Sequence, residues 1–211
     1  MGKRQQIVTT VLWGLTVFAM LGLVGTGLWA KKARGRQADA HDALPVLFPA
    51  PPFELTDQNN RTVRADHLRG SVWVAMVFFT NCPDICPGMM GRLVDLQGAV
   101  TDPNVKLVSF SIDPERDTPE QLRQYADQLG ADSSRWFLLT GTKDQMFAVA
   151  EGLKLSAEPA QGDKPILHTG QILLVDQSGN VRGVYDSADD ADMSELPADA
   201  TRLLNEGAGA R

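Results

Sequence analysis

The chain has 211 residues, a length typical of one ordinary domain with attachments, and a net charge of −6. Six of its 20 basic residues lie within residues 1–36, which contain no acid, so the remainder has 14 basic and 26 acidic residues and a net charge of −12. Phosphate backbones repel such an acidic body, since nucleic-acid binding depends on Lys and Arg that neutralise phosphates. These numbers exclude nucleic acid as a partner.

The first element along the chain is an apolar segment at residues 7–30, preceded by a short tail at residues 1–6. It contains no charged residue, and as a helix it would span about 36 Å at about 1.5 Å per residue, more than a hydrocarbon core of about 30 Å. We therefore predict a single transmembrane helix. A cleaved signal peptide is the alternative, but the apolar run is longer than a usual signal core and no clean Ala-x-Ala site follows it.

The charges beside this helix do not agree with the expected location of the body. Four basic residues follow the span and two precede it, so the positive-inside rule alone would place the body in the cytoplasm. We predict instead an uncleaved signal anchor in a bacterial inner membrane, with the body on the periplasmic side. The very short tail suits an anchor, and the site chemistry below suits an extracytoplasmic space.

Residues 31–52 are rich in Ala, Asp, Arg and Pro and lack a structural period, so we predict a linker. The folded body is expected at residues 53–206, with a tail at residues 207–211. Its first element is a β-hairpin, because Asp57-Gln-Asn-Asn60 favours a tight turn between two short strands.

Three apolar strands, each followed by a helix, are expected next. The strands are predicted at residues 72–79, 105–112 and 136–139, where β-forming residues run without a break. The helices are predicted from about Pro87, from Pro119 to about Leu129 and from Lys143 to about Gly152. Thr118 and Thr142 are each followed three residues later by Gln, the pattern of a capping box at a helix start.

The last part of the body predicts a second hairpin and a final helix. Gln177-Ser-Gly-Asn180 separates two apolar runs, and Pro197 suits the first turn of a helix that continues through Leu204. Parallel β-α units that end with an antiparallel hairpin and a helix describe an α/β, thioredoxin-like sandwich. A flavodoxin-like sheet is the alternative, but it requires a further β-α unit where the hairpin is predicted.

Both cysteines lie in Cys82-Pro-Asp-Ile-Cys86, between a buried strand and the start of a helix. Unpaired N–H groups and the helix dipole stabilise anions there, so we expect a lowered pKa for a thiol near Pro87, which favours metal binding and redox chemistry. A stabilising disulfide is disfavoured because a loop of about five residues restrains the unfolded chain little. Two ordinary buried thiols would leave their shared position at the turn unexplained.

Three separate segments together resemble the Sco/SenC family of copper-binding assembly proteins. They are Phe79-Thr-Asn-Cys-Pro-Asp-Ile-Cys-Pro87, Ser111-Ile-Asp-Pro-Glu-Arg-Asp-Thr-Pro119, and Leu167-His-Thr169 ahead of a strand. The resemblance covers about residues 47–206 and implies a thioredoxin-like fold on a membrane tether.

The same resemblance implies a ligand set and a partner. Copper, as Cu(I), Cu(II) or both, would be bound by Cys82, Cys86 and His168, with Asp113 nearby. The implied partner is the copper-binding subunit II of cytochrome c oxidase, whose binuclear copper centre such proteins help to assemble. Other copper carriers or thiol–disulfide proteins are alternative partners.

The residue types agree with copper. Two thiolates and one imidazole form a soft, three-ligand set that suits Cu(I), whereas a structural zinc site needs four protein ligands. His168 precedes a predicted strand, and a hydrogen-bonded loop histidine is the alternative for it. His41 and His67 are expected to be solvated. Met89 and Met90 have helical spacing that places at least one in the core, and Asp84 is either a turn residue or a neighbour of the site.

An enzyme is the second hypothesis for function. In a thiol–disulfide oxidoreductase, one of Cys82 and Cys86 would attack a partner's disulfide and the other would resolve the mixed disulfide. Against this role, the spacing is C-x-x-x-C, not C-x-x-C, and a histidine stands where a thioredoxin-type cis-proline is expected. A peroxidase or a plain adaptor has less support in the sequence.

Overall fold

The computed structural model describes residues 43–82, 84–158 and 167–208; for residues 157–158, 167–168 and 208 it describes the backbone alone. The predicted transmembrane helix at residues 7–30, most of the linker and His41 lie outside the described residues. Within the described part of the chain, no helix is long and apolar enough to cross a membrane.

The described residues form ten strands, four α-helices and one 3-10 helix. The strands are β1 (Phe48–Pro49), β2 (Glu54–Asp57), β3 (Thr62–Arg64), β4 (Val72–Phe78), β5 (Val105–Ser111), β6 (Trp136–Thr140), β7 (Ala157–Glu158), β8 (Leu167–His168), β9 (Gln171–Val175) and β10 (Asn180–Asp186). The helices are α1 (Cys86–Ala99), α2 (Pro119–Leu129), α3 (Lys143–Gly152) and α4 (Asp190–Ala208), and the 3-10 helix is Ala65–Leu68.

Eight strands make one sheet in the order β1-β10-β9-β4-β5-β6-β2-β3. The central strands β4, β5 and β6 are parallel, and the strands on either side of them pair antiparallel. Every residue of β4 is buried, as expected of a strand covered on both faces. The β9–β10 hairpin is present as predicted, so the flavodoxin-like alternative is wrong.

The sheet begins earlier in the chain than Phe53. Phe48 and Pro49 pair with Val181 and Asn180 of β10, and the Lys154 ammonium lies 4.1 Å from the centre of the Phe48 ring. A two-residue strand that contains a proline has no periodicity to detect, which is why the sequence does not indicate it.

The predicted start of the last helix at Pro197 is wrong, because α4 begins at Asp190 and Pro197 lies inside it. Asp189 caps the true start: its carboxylate accepts from the Ala191 N–H at 2.8 Å, and its carbonyl accepts from the Met193 N–H at 3.1 Å. Pro197 removes one backbone hydrogen bond of the helix. The burial of the adjacent Leu196 in the core compensates for this loss.

Candidate metal centre

The carboxyl ends of two neighbouring parallel strands place two loops side by side. Phe78, at the end of β4, pairs with Ser111, at the end of β5. Residues 79–86, here called the cysteine loop, follow β4. Residues 112–117, here called the acidic loop, follow β5. Parallel strands direct both loops to the same edge of the sheet, which is where α/β proteins commonly place functional groups.

The two cysteine side chains meet at the start of α1. Cys82 is half-buried, Cys86 is 1% exposed, and both are present as thiols. A hydrogen bond links the two side chains, and a second one links the Cys86 thiol to the backbone of Phe79. The Cys82 N–H donates to the Phe79 carbonyl at 3.3 Å. Cys82 and Cys86 therefore both bond to the backbone of Phe79, and this brings their side chains together.

The expected lowering of a thiol pKa at this helix start is wrong for Cys86. Burial raises the pKa of the Cys86 thiol well above its ordinary value, and the nearby Cys82 and Asp117 raise it further, while the hydrogen bond with the Phe79 backbone lowers it. Desolvation disfavours the thiolate more than the N–H groups at the helix start favour it. A metal ion that binds Cys86 must therefore displace a proton.

Asp117 joins the acidic loop to the cysteine loop. Its carboxylate is fully buried and accepts the Thr80 N–H at 3.0 Å, the Thr80 hydroxyl at 2.5 Å and the Ser111 hydroxyl at 2.5 Å. Its own N–H donates to the Asp113 carbonyl at 2.9 Å. The sequence interpretation missed Asp117, although Thr80 and Ser111, which lie at the ends of adjacent strands, are a signal that could have indicated it.

Asp113 lies on the acidic loop, as expected, and is nearly buried. Burial raises the pKa of its carboxyl, and an ion pair with Arg116 at 3.2 Å opposes that shift. Asp84, within the cysteine loop, is exposed to solvent. Of these two carboxylates, only Asp113 is shielded from solvent.

Tyr125 of α2 closes another side of the thiol pair. Its ring stacks on Phe78 with centroids 5.9 Å apart and an interplanar angle of 20°. Burial, together with the smaller effects of the nearby Cys86, Cys82 and Asp117, raises the pKa of Tyr125 to about 12. The Cys86 thiol therefore lies in a largely desolvated region between β4, α1 and α2, while Cys82 is partly exposed.

His168 is described through its backbone alone. It lies on β8, opposite Ala157 of β7, and the next residue, Thr169, donates its N–H to the Ser156 carbonyl at 3.1 Å. The position of its imidazole is outside the described residues, so its role as a ligand stays a prediction. Among the described side chains, no three His, Cys, Asp or Glu residues are grouped closely enough to hold a metal ion.

The remaining candidates lie in the core or at the surface. Met89 and Met90 are both buried in the hydrophobic core, which agrees with the helical spacing of α1. His67 is half exposed and lies beside Asp66 in the 3-10 helix, as expected of a solvated histidine. The structure thus brings together Cys82 and Cys86 from the predicted ligand set.

Comparison with known proteins gives consistent matches to one group. The model of the SCO1/SenC family matches residues 47–204. A SCO1 protein homolog from Bacillus subtilis is 31% identical over 160 residues, which cover 74% of this chain and 82% of the relative.

Two solved structures have the same fold. BsSco, described as a member of the Sco family of cytochrome c oxidase assembly proteins, is 29% identical with a TM-score of 0.67, covering 76% of this chain and 95% of BsSco. ScoI from Bradyrhizobium japonicum, solved with copper bound, is 28% identical with a TM-score of 0.63, covering 74% of this chain and 99% of ScoI. These neighbours support the predicted thioredoxin-like α/β fold.

Proposed function

The chain belongs to the SCO1/SenC family, and from this premise we propose that it binds copper through Cys82, Cys86 and His168 and serves the assembly of cytochrome c oxidase. The observation that carries the proposal is the hydrogen bond between the two cysteine side chains at the start of α1, at the carboxyl edge of the sheet. Copper as the ligand is supported by the copper-bound ScoI from Bradyrhizobium japonicum.

The donor atoms of the described site suit copper. Two adjacent sulfur atoms are soft ligands that prefer Cu(I), and an imidazole from residue 168 would complete a three-ligand site. The partly exposed Cys82 gives a second protein access to the ion, while the buried Cys86 keeps one side of the site dry. A site open on one side suits a protein that passes its metal on.

The proposed partner is the copper-binding subunit II of cytochrome c oxidase. Its support is the description of BsSco as one of a family of assembly proteins for that enzyme. We further propose that residues 7–30 anchor the chain in the bacterial inner membrane and that the body faces the periplasm. A C-terminal alkaline phosphatase fusion tests this orientation, since the fusion is active only on the extracytoplasmic side.

Copper titration of ligand variants tests the proposed site. The purified full chain should bind near one Cu(I) in competition with a chromophoric chelator. Cys82→Ser, Cys86→Ser and His168→Ala should each weaken binding by more than about 100-fold, beyond the about 10- to 100-fold typical of groups that only support a ligand. His67→Ala, on the 3-10 helix, is the matched control and should bind as wild type.

Two results would contradict the proposal. Unchanged copper affinity in either serine variant would remove the cysteine pair as ligands. Unchanged affinity in His168→Ala, together with loss of insulin reduction in Cys82→Ser, would favour the thiol–disulfide oxidoreductase.

A further inference from the structure

Thr80 connects the cysteine loop to the acidic loop. Thr80 lies two residues before Cys82, inside the turn that the Cys82 N–H closes on the Phe79 carbonyl. Both its N–H and its hydroxyl donate to the Asp117 carboxylate, 37 residues away in the chain. Through this residue, the position of the turn depends on the acidic loop.

Asp117 is itself held rigidly. The Ser111 hydroxyl at the end of β5 donates to the same carboxylate oxygen as the Thr80 N–H, and the Asp117 N–H donates to the Asp113 carbonyl. No basic side chain among the described residues forms an ion pair with Asp117. A carboxylate can accept several hydrogen bonds at once. The Asp117 side chain uses this capacity to connect the cysteine loop to the end of β5.

From these contacts we propose that Asp117 is a positioning residue for the copper site: its carboxylate fixes the turn at residues 79–82 so that the Cys82 and Cys86 sulfur atoms are held at the spacing one copper ion requires. This inference rests on the proposed function and adds a residue whose side chain bonds to Thr80 and Ser111. Residues that orient metal ligands commonly contribute to metal affinity, because they hold the ligand atoms in the geometry that the metal requires.

Three variants separate the hydrogen bonds from the charge. Asp117→Ala removes both carboxylate oxygens, so all three hydrogen bonds are lost and Thr80 no longer bonds to the acidic loop. Asp117→Asn keeps an oxygen for the Thr80 N–H and the Ser111 hydroxyl, and its amide can donate to the Thr80 oxygen, so it preserves the geometry without the charge. Thr80→Val removes one of the three hydrogen bonds and keeps the shape of the side chain.

A second buried carboxylate supplies the control. Asp57 is also fully buried and accepts from the N–H groups of Asn59 and Arg61 at 2.9 and 2.8 Å. It closes the β2–β3 turn, which points toward the opposite edge of the sheet because β2 is antiparallel to β6, and β6 separates this hairpin from β5. Asp57→Ala should therefore lower the melting temperature without any effect on copper.

The experiment is a Cu(I) competition titration of the full chain, with the thiolate-to-Cu(II) charge-transfer spectrum and the melting temperature recorded for each variant. Asp117→Ala should lose about 10- to 100-fold in copper affinity and show an altered charge-transfer band, as is typical when a group that orients a ligand is removed. Asp117→Asn should stay close to wild type, Thr80→Val should fall between the two, and Asp57→Ala should keep full affinity.

Wild-type affinity in folded Asp117→Ala, or equal losses in Asp117→Ala and Asp57→Ala, would overturn the inference. If Asp117→Ala does not fold, Thr80→Val decides, and unchanged affinity and spectrum in that variant would also overturn it. Full copper affinity in Cys82→Ser would instead show that the proposed ligand set has failed, and the inference would fail with it for that separate reason.

Discussion

Buried carboxylates are used differently at the two edges of the central sheet. In the two hairpins whose turns point toward the amino edge, Asp57 and Asp176 each accept from N–H groups two and four residues further along the chain, and each forms an ion pair with an arginine, Arg61 or Arg182. At the carboxyl edge, Asp117 accepts from groups 37 and 6 residues away. The first arrangement closes a single turn, whereas the second joins two loops.

This difference separates stability from function. A carboxylate that closes its own hairpin stabilises local structure, and its loss should act on folding alone. A carboxylate that joins loops from two strands sets the position of whatever those loops carry, which here is the cysteine pair. Each edge can therefore be perturbed while the other serves as the control.

The largest effect is expected at the amino edge, from Arg182→Met. Arg182 is 13% exposed and binds Asp176 at 3.0 Å, Glu206 at 3.1 Å and the Leu44 carbonyl at 2.8 Å. Its loss leaves the Asp176 carboxylate buried without its cation, so the free energy of unfolding should fall by about 3 kcal/mol. Urea denaturation measures this loss, and copper affinity should not change.

Arg116→Ala at the carboxyl edge is the matched control for Arg182→Met. The Arg116 side chain is 68% exposed, so its ion pair with Asp113 should contribute less than about 1 kcal/mol. A drop in copper affinity for Arg182→Met, without a drop in stability, would break the proposed division between the edges.

Local patterns in the sequence predicted the hairpin turns and the helix caps well. The turn that starts at Asp57 and the Gln177-Ser-Gly-Asn180 turn were both indicated by Asx and Gly residues, and both are present. The helix caps at Thr118 and Thr142 were predicted for the same reason: each side chain bonds to an N–H only three residues away. Such interactions are contained within the pattern that predicts them.

The errors arise where distant parts of the chain meet. Pro197 is a typical helix start, but the core contact of Leu196 and the cap at Asp189 overrule it. The pKa of Cys86 follows from burial by the whole fold, which outweighs the local effect of the helix start. The part played by Asp117 depends on its meeting Thr80 across two strands, which no local pattern contains.

A smaller effect is expected from the cap of α2, which lies beside the acidic loop. Thr118→Ala removes the acceptor of the Gln121 N–H and should cost about 1 kcal/mol of unfolding free energy. Thr142→Ala at the start of α3 is the matched control and should cost about as much, since its hydroxyl accepts from Gln145 at the same 3.3 Å.

Neither cap variant should alter copper affinity, because each cap is a local interaction. Loss of affinity in Thr118→Ala but not in Thr142→Ala would show that a local contact can also position the thiols. The effect of a contact on copper affinity would then depend on its distance from the thiols, and not on how far apart the two bonded residues are in the chain.

The smallest effect on stability is expected from Tyr125, whose ionisation should contribute nothing at neutral pH and should lower stability only at high pH. The pKa of Tyr125 is raised from an ordinary 10.0 to about 12, so the phenol keeps its proton in both folded and unfolded states below pH 10. Between pH 10 and 12 the unfolded state releases this proton first, and stability falls as pH rises. Tyr125→Phe should remove that part of the fall, as measured by urea midpoints below and above pH 10.

Tyr185 makes this measurement selective. Burial and its hydrogen bond to Asp199 also raise the pKa of Tyr185, but it is present in both proteins, so its contribution cancels when wild type and Tyr125→Phe are compared. An identical pH dependence in the two proteins would mean that water reaches the Tyr125 hydroxyl. In that case α2 would not shield the thiols from water, and the burial of Cys86 would depend on α1 and β4 alone.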